Sequence, residues 1–221
     1  MCGRFTLREP IGQLVERFMA RLVAEIDWPP RYNIAPTQDA LVIRSQDGER
    51  VAVPLRWGLV PSWAKDIKMG ASLTNARAET VAEKPAFRAA FKKRRCLVPA
   101  DGYYEWQREG KLRLPHLYQL HGGEPFAFAG LWERWQDLET FTILTTSANS
   151  LAAQVHDRMP VILSPLDSVR WLDPASDPND LLRILEPYPA TDMTDTPVST
   201  YVNNSRHEGP DCIAPAPDSG E

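Results

Sequence analysis

The sequence predicts one α+β domain, a mostly antiparallel, barrel-like sheet core with flanking helices. Three observations lead there. The strand patterns are short and joined by hairpin turns, the helical patterns do not alternate with them, and 221 residues at 43% hydrophobic content can bury one substantial core. The domain is expected to span residues 1–206. Residues 207–221, acidic and carrying Pro210, Pro215 and Pro217, are expected to form a disordered tail.

Residues 10–25 place Ile11, Leu14, Val15, Phe18, Met19, Leu22 and Val23 on one helical face, and Pro10 opens that helix. RYNIAPTQ (31–38) reads as an extended loop. ALVIR (40–44), the Asp47-Gly48 turn and VAVPLRW (51–57) read as a β-hairpin, with Pro54 marking an edge or a bulge. WGLVPSW (57–63) is a loop flanked by tryptophans. KPAFRAAFKKRR (84–95) is a helix with Phe87 and Phe91 inward and its cations outward. CLVP (96–99) and ADGYYEW (100–106) are strand patterns, the second setting Glu105 among aromatics. Residues 112–146 are β, broken at Gly122-Gly123. SANSLAAQV (147–155) reads as a short helix with Ser147 as its N-cap. HDRMPVIL (156–163) turns back into a strand, and 168–172 and 179–185 are short helices.

Net charge is −4, but it is unevenly spread. Residues 62–96 hold nine Lys/Arg against three acids, whereas residues 164–221 hold three Arg against eleven acids. A basic block in an acidic protein is a candidate phosphate-binding face, or else a solvated helix face. Three cysteines, Cys2, Cys96 and Cys212, make no disulfide framework and match no zinc spacing. No apolar run approaches a membrane span and no charged-then-apolar leader precedes the domain, so a soluble cytoplasmic protein is expected.

The chemistry starts at MCGRF. Loss of Met1 would leave Cys2 with a free α-amine and a thiol two carbons apart. Such an amine, with a reference pKa of about 7.7–8.0, is partly uncharged near neutrality and attacks aldehydes to give imines. The neighbouring thiol can then close a five-membered thiazolidine, or act as a nucleophile that carries its own base. Two further groups complete a candidate catalytic set. Glu105, if buried on its strand, would have a raised pKa suited to proton transfer. His156 stands next but one to Arg158, a possible phosphate anchor. The residues alone leave open a surface Glu105 and a structural His156.

MCGRF, RYNIAPTQ, WGLVPSW, TNARAET, RRCLVPADGYYEW, FAFAGLW, TTSAN and HDRMPVIL, in that order, resemble the successive blocks of the SRAP (SOS response-associated peptidase) family. The resemblance runs from Cys2 to about Leu163 and more loosely to about Arg206. It implies the SRAP fold and covalent capping of abasic sites in single-stranded DNA, through a thiazolidine on Cys2. It further implies that Asn75 holds the Cys2 end, that Glu105 is the general acid/base, and that His156 assists opening of the sugar. Arg77 and Arg158 would bind the flanking phosphates, with Arg4 contributing, while Trp63 and Pro36 would pack against displaced bases. Met1 would be removed by the chain's own thiol peptidase chemistry. No metal or organic cofactor is needed, because the substrate supplies the electrophile. The expected partner is abasic single-stranded DNA, bound by a monomer that joins the nucleoid and engages no membrane. Two rival readings use the same residues differently: an N-terminal-nucleophile peptidase or amidohydrolase, and a non-covalent reader of modified bases.

Overall fold

A computed structural model describes residues 2–217. Met1, whose removal is expected, and residues 218–221 of the acidic tail lie outside the described residues. The strands are β1 (Phe5–Leu7), β2 (Arg21–Leu22), β3 (Arg31–Ile34), β4 (Asp39–Gln46), β5 (Glu49–Trp57), β6 (Asn75–Arg77) and β7 (Arg95–Ala100). They continue with β8 (Gly102–Glu109), β9 (Leu112–Leu120), β10 (Phe126–Trp135), β11 (Leu138–Ser147), β12 (Arg158–Pro160), β13 (Ile162–Leu163) and β14 (Met193–Pro197). Four short helices flank them: α1 (Ile11–Arg17), α2 (Arg88–Lys93), α3 (Pro165–Leu172) and α4 (Pro178–Arg183). No helix among the described residues is long and apolar enough to cross a membrane.

One sheet runs β14-β9-β8-β1-β3. The other runs β12-β11-β10-β7-β4-β5-β2, and a parallel pairing of Thr140 with Arg56 and Phe141 with Trp57 joins β11 back to β5. The ladder β11-β10-β7-β4-β5 therefore closes on itself, which is the expected barrel-like core. Aromatic rings join the two sheets. Trp57 stacks on Phe141 at 6.2 Å, Phe5 meets Trp57 and Phe128 edge-on, and Tyr103 meets Phe128 and stacks on Tyr118 at 5.1 Å. Such pairs add about 0.5–1.5 kcal/mol each beyond the area they bury.

The hairpin of β4 and β5 forms as expected, with Asp47 and Gly48 both at positive φ, as a type I′ turn requires. Pro54 sits in β5 between the two short parallel neighbours of that strand, where no ladder bond from its nitrogen is called for. The amphipathic pattern over 10–25 forms a helix only through Arg17. Arg50 donates to the carbonyl of Phe18 at 3.0 Å, Met19 turns to φ 49°, and Arg21–Leu22 pairs with β5 instead. A ladder on the barrel edge outcompetes two further helical turns. RYNI, expected as loop, is β3, held against β1.

Ser147 ends β11 and caps nothing. The turn that follows is capped by Asn149, whose side-chain oxygen accepts from Leu151 N–H at 3.1 Å and Ala152 N–H at 2.9 Å. In α2, Phe87 and Phe91 point inward as expected, but Arg95 does not point outward. Its buried guanidinium donates to the carbonyls of Phe91 and Lys92 (both 2.9 Å) and of Trp171 and Asp173 (both 2.7 Å). One cation thus satisfies the C-terminal carbonyls of α2 and α3, where helix dipoles favour positive charge.

The disordered tail expected from His207 is not found over residues 207–217. Cys212 is buried with Tyr104 and Val202, and Ser199 N–H donates to Ala214 at 2.8 Å. Glu208 accepts from Arg31 at 3.0 Å and from the Tyr32 N–H. Acidic composition misleads here because one carboxylate has found a basic strand and the lone cysteine an apolar pocket.

Gly58, at φ 120°, and Gly70 pass backbone against backbone, and a Cβ on Gly70 would lie 2.5 Å from the Gly58 carbonyl oxygen. This crossing fixes the loop that leads into Asn75. Gly70→Ala should therefore destabilise the protein by about 1–3 kcal/mol, the usual cost of overpacking, seen as a lowered thermal midpoint.

Candidate active site

Pairing of β1 with β8 (Phe5 opposite Tyr103, Thr6 opposite Gly102) brings the start of the chain against the strand that carries Glu105. The carbonyl of Arg4 accepts the Tyr104 N–H at 3.0 Å and also faces the Cys2 thiol, with Sγ 3.9 Å away. Cys2 is fully buried. Burial pushes its thiol far above the ordinary cysteine value, and the charge of Glu105 adds to the rise. This thiol stays protonated unless a base takes its proton.

Glu105 is the candidate for that base. Its residue is 4% exposed, and burial raises its carboxyl to about 7. It opens onto a cleft of about 560 Å³ lined also by Trp106, Arg108, Arg113, Val155 and His156. His156 closes the turn after Ala152–Gln154, its N–H donating to Ala152 at 2.9 Å. Its Nδ1 lies 3.0 Å from the Arg158 N–H and 2.9 Å from the exposed Asp157 carboxylate. It cannot accept from one and donate to the other at once. Burial lowers the imidazole pKa, with Arg108 contributing, so the neutral ring is favoured. That ring accepts the Arg158 N–H at Nδ1 and carries its proton on Nε2.

Asn75 and Arg77 begin and end β6, which runs parallel to β11. Asn75 lines a second recess of about 500 Å³ with Trp63, Arg77, Lys84 and Phe87, and its buried Nδ2 finds no acceptor among the described residues. Arg77 is exposed, as is Trp63 at 58%, while Pro36 is half-buried. β11 separates β6 from β12, with Thr145 opposite both Arg77 and Pro160. Arg158, on β12, reaches over Thr145, donates to its carbonyl at 2.6 Å and grips Glu79 with both terminal nitrogens.

The structure thus brings Glu105 and His156 into one cleft, with Cys2 buried beside Glu105, and sets Asn75, Arg77 and Trp63 around a second recess. Arg4, expected to help bind phosphates, is engaged elsewhere. It donates to Asn33 Oδ1 at 2.7 Å and to the carbonyls of Val202 (3.0 Å) and Asn203 (3.4 Å), with its guanidinium 5.6 Å over Trp106. The basic block is likewise divided: Lys92 and Lys93 face solvent, Arg94 pairs with Glu133 at 2.5 Å, and Arg95 is buried. Arg108 and Arg113, directly opposite each other in the β8–β9 hairpin, line the cleft without an ion pair among the described residues. They lie outside the basic block, and only the hairpin register could have exposed them. No cluster of three or more His, Cys, Asp or Glu suited to a metal ion occurs among the described residues.

A fully buried thiol beside a carboxyl raised to about 7, which shares its cleft with a neutral imidazole, makes a site suited to nucleophilic attack with proton transfer. The sequence model of the SOS response associated peptidase (SRAP) family matches residues 1–205, and the chain belongs to that family. The abasic site processing protein YoqW of Bacillus subtilis is 43% identical, the match covering 96% of this chain and 99% of that protein. The abasic site processing protein HMCES of Xenopus tropicalis is 34% identical over 85% of this chain and 66% of its own length. A crystal structure of a Bacteroides thetaiotaomicron protein superposes with a TM-score of 0.88 at 26% identity, covering 97% of this chain and all of that one.

Glu105 supplies a pH test. Its folded pKa is raised, so the folded state holds a proton that the unfolded chain releases from about pH 4.5, and stability from this group is lost as pH rises toward 7. Glu105→Gln should raise the thermal midpoint more at pH 8 than at pH 5. An equal shift at both would mean that the carboxyl is not buried as described.

Proposed function

We propose that this protein processes abasic sites by capping them covalently in single-stranded DNA, through a thiazolidine formed by Cys2 once Met1 is gone. The observation that supports this most directly is the fully buried Cys2 thiol beside a carboxyl raised to about 7. The relatives named as abasic site processing proteins point to the same substrate.

The residues account for each step. An abasic deoxyribose opens to a C1′ aldehyde, and the Nε2–H of neutral His156 is suited to donate to the ring oxygen as it leaves C1′. The Cys2 amine adds to C1′, and loss of water gives the imine. Glu105 near its pKa can both give and take the protons of these steps. The thiol then adds across the C=N bond: S–C1′ forms, the C=N π bond breaks, and the thiol proton reaches nitrogen by way of Glu105. Asn75 hydrogen-bonds the Cys2 end and holds it against the sugar. Arg77 and Arg158 meet the flanking phosphates, Arg158 by exchanging Glu79 for one of them. Trp63 and Pro36 support the displaced bases. The same thiol, carboxyl and imidazole serve for cleavage of the Met1–Cys2 bond.

Wild-type protein mixed with single-stranded DNA carrying one abasic site should give a heat-stable adduct on a denaturing gel without added reductant, and intact mass should show the loss of one methionine. Cys2→Ala, prepared with Met1 removed, should abolish the stable adduct yet leave borohydride-trappable imine. Asn75→Ala should slow the reaction on the order of 10²-fold, and Glu105→Gln by roughly 10²–10⁴-fold. Peptide hydrolysis with no adduct would favour the peptidase reading. Binding to modified DNA with neither activity would favour the reader.

The cations are tested separately. Arg77→Ala should flatten the salt dependence of single-stranded DNA binding, because each phosphate contact releases counterions. Glu79→Gln should tighten binding and steepen that slope, since it frees Arg158. Arg4→Ala should leave the slope at its wild-type value and slow crosslinking at saturating DNA, because the Arg4 side chain anchors the segment beside Cys2 to Asn33, Val202 and Asn203 rather than meeting a phosphate.

A further inference from the structure

Tyr103 holds a hydroxyl with no stated purpose. The residue is fully buried, and its oxygen has no hydrogen-bond partner among the described residues. A buried hydroxyl left unmatched costs roughly 1–3 kcal/mol, so a fold keeps one only for a reason. The ring is fixed between Tyr118, stacked at 5.1 Å, and the edge of Phe128 at 6.1 Å. On β8, Tyr103 precedes Glu105 by two residues, so both side chains leave the same face of the sheet.

Cys2 belongs to the same buried cluster as Tyr103. Tyr103 is opposite Phe5, and the Arg4 carbonyl that receives the Tyr104 N–H is the one the Cys2 thiol faces. Burial holds the Tyr103 phenol well above its ordinary value, and Cys2 heads the neighbouring groups that add to this, ahead of Tyr118, Glu105 and Asp195. The hydroxyl is therefore a donor that keeps its proton, in the same buried cluster as a thiol whose charged form burial disfavours.

We infer that the Tyr103 hydroxyl is a further catalytic group, a hydrogen-bond donor to the Cys2 sulfur during ring closure. The inference rests on the thiazolidine reading above. As Glu105 takes the thiol proton and the S–C1′ bond begins to form, negative charge gathers on a fully buried sulfur. A phenol O–H offsets that charge and itself transfers no proton. The proton removed from sulfur goes by Glu105 to the former imine nitrogen, so the step balances without a further reactant. Amine attack, which develops no charge on sulfur, gains nothing from this donor.

Tyr103→Phe separates the two steps. With abasic single-stranded DNA, the ratio of heat-stable adduct to borohydride-trapped imine at early times should fall on the order of 10–10²-fold, the worth of a hydrogen bond to a charged group. The variant's thermal midpoint should be at or above that of wild type, because an unmatched hydroxyl has been removed. A purely structural tyrosine would not move rate and stability in opposite directions. In a Cys2→Ala background, adding Tyr103→Phe should leave the imine yield of that background unchanged, since no sulfur remains to be served. A wild-type ratio overturns the inference, whether both products fall or neither does, and so does an effect that persists without the sulfur. Failure of the wild-type protein to form any heat-stable adduct would instead remove the thiazolidine reading.

Discussion

The arrangement depends on one short ladder, the pairing of β1 with β8. Two residue pairs and the Arg4 carbonyl are enough to hold the first described residue inside the core rather than at a frayed end. Chain termini are ordinarily the least ordered part of a domain. Here the strand partner, the edge-on contacts of Phe5 with Trp57 and Phe128, and the grip of Asn33, Val202 and Asn203 on Arg4 all act within a few residues of Cys2. Cys2 is placed by packing, so its geometry does not depend on a mobile loop.

Burial then sets the acid–base chemistry. It drives the Cys2 thiol up and out of range for spontaneous ionisation, and it drives Glu105 up to about 7, where proton exchange is easiest. The same desolvation lowers His156 and keeps it neutral. Three groups with opposite ordinary charges are thus brought toward neutrality by one cause. The outer ring of the site is treated differently: Arg77, Arg108 and Arg113 are exposed.

Much of this was legible in the sequence. Period-two patterning and the Asp47-Gly48 turn disclosed the hairpins, and ADGYYEW disclosed a strand with Glu105 among aromatics. Periodicity overran at Met19 because it registers apolar faces and not the competing ladder between β2 and β5. Charge counting grouped Arg95 with the surface cations, although its guanidinium serves four buried carbonyls. Composition made residues 207–217 a tail, because a single ion pair and a buried cysteine carry no compositional weight. Within the site, Cys2, Glu105 and His156 stood out by residue type. Arg108, Arg113 and Tyr103 did not, since their placement follows from register across the sheets, which one sequence does not reveal.

Glu79 already occupies the guanidinium that an anionic ligand would use on Arg158. A free phosphate or chloride ion must displace a tethered carboxylate whose effective concentration never falls, and it brings no second contact to offset that loss. A polyanion anchored beforehand at Arg77 competes as a tethered group as well, on equal terms. On the proposed reading, this internal carboxylate would act as a filter, set against small inorganic anions and permissive toward a chain of linked charges.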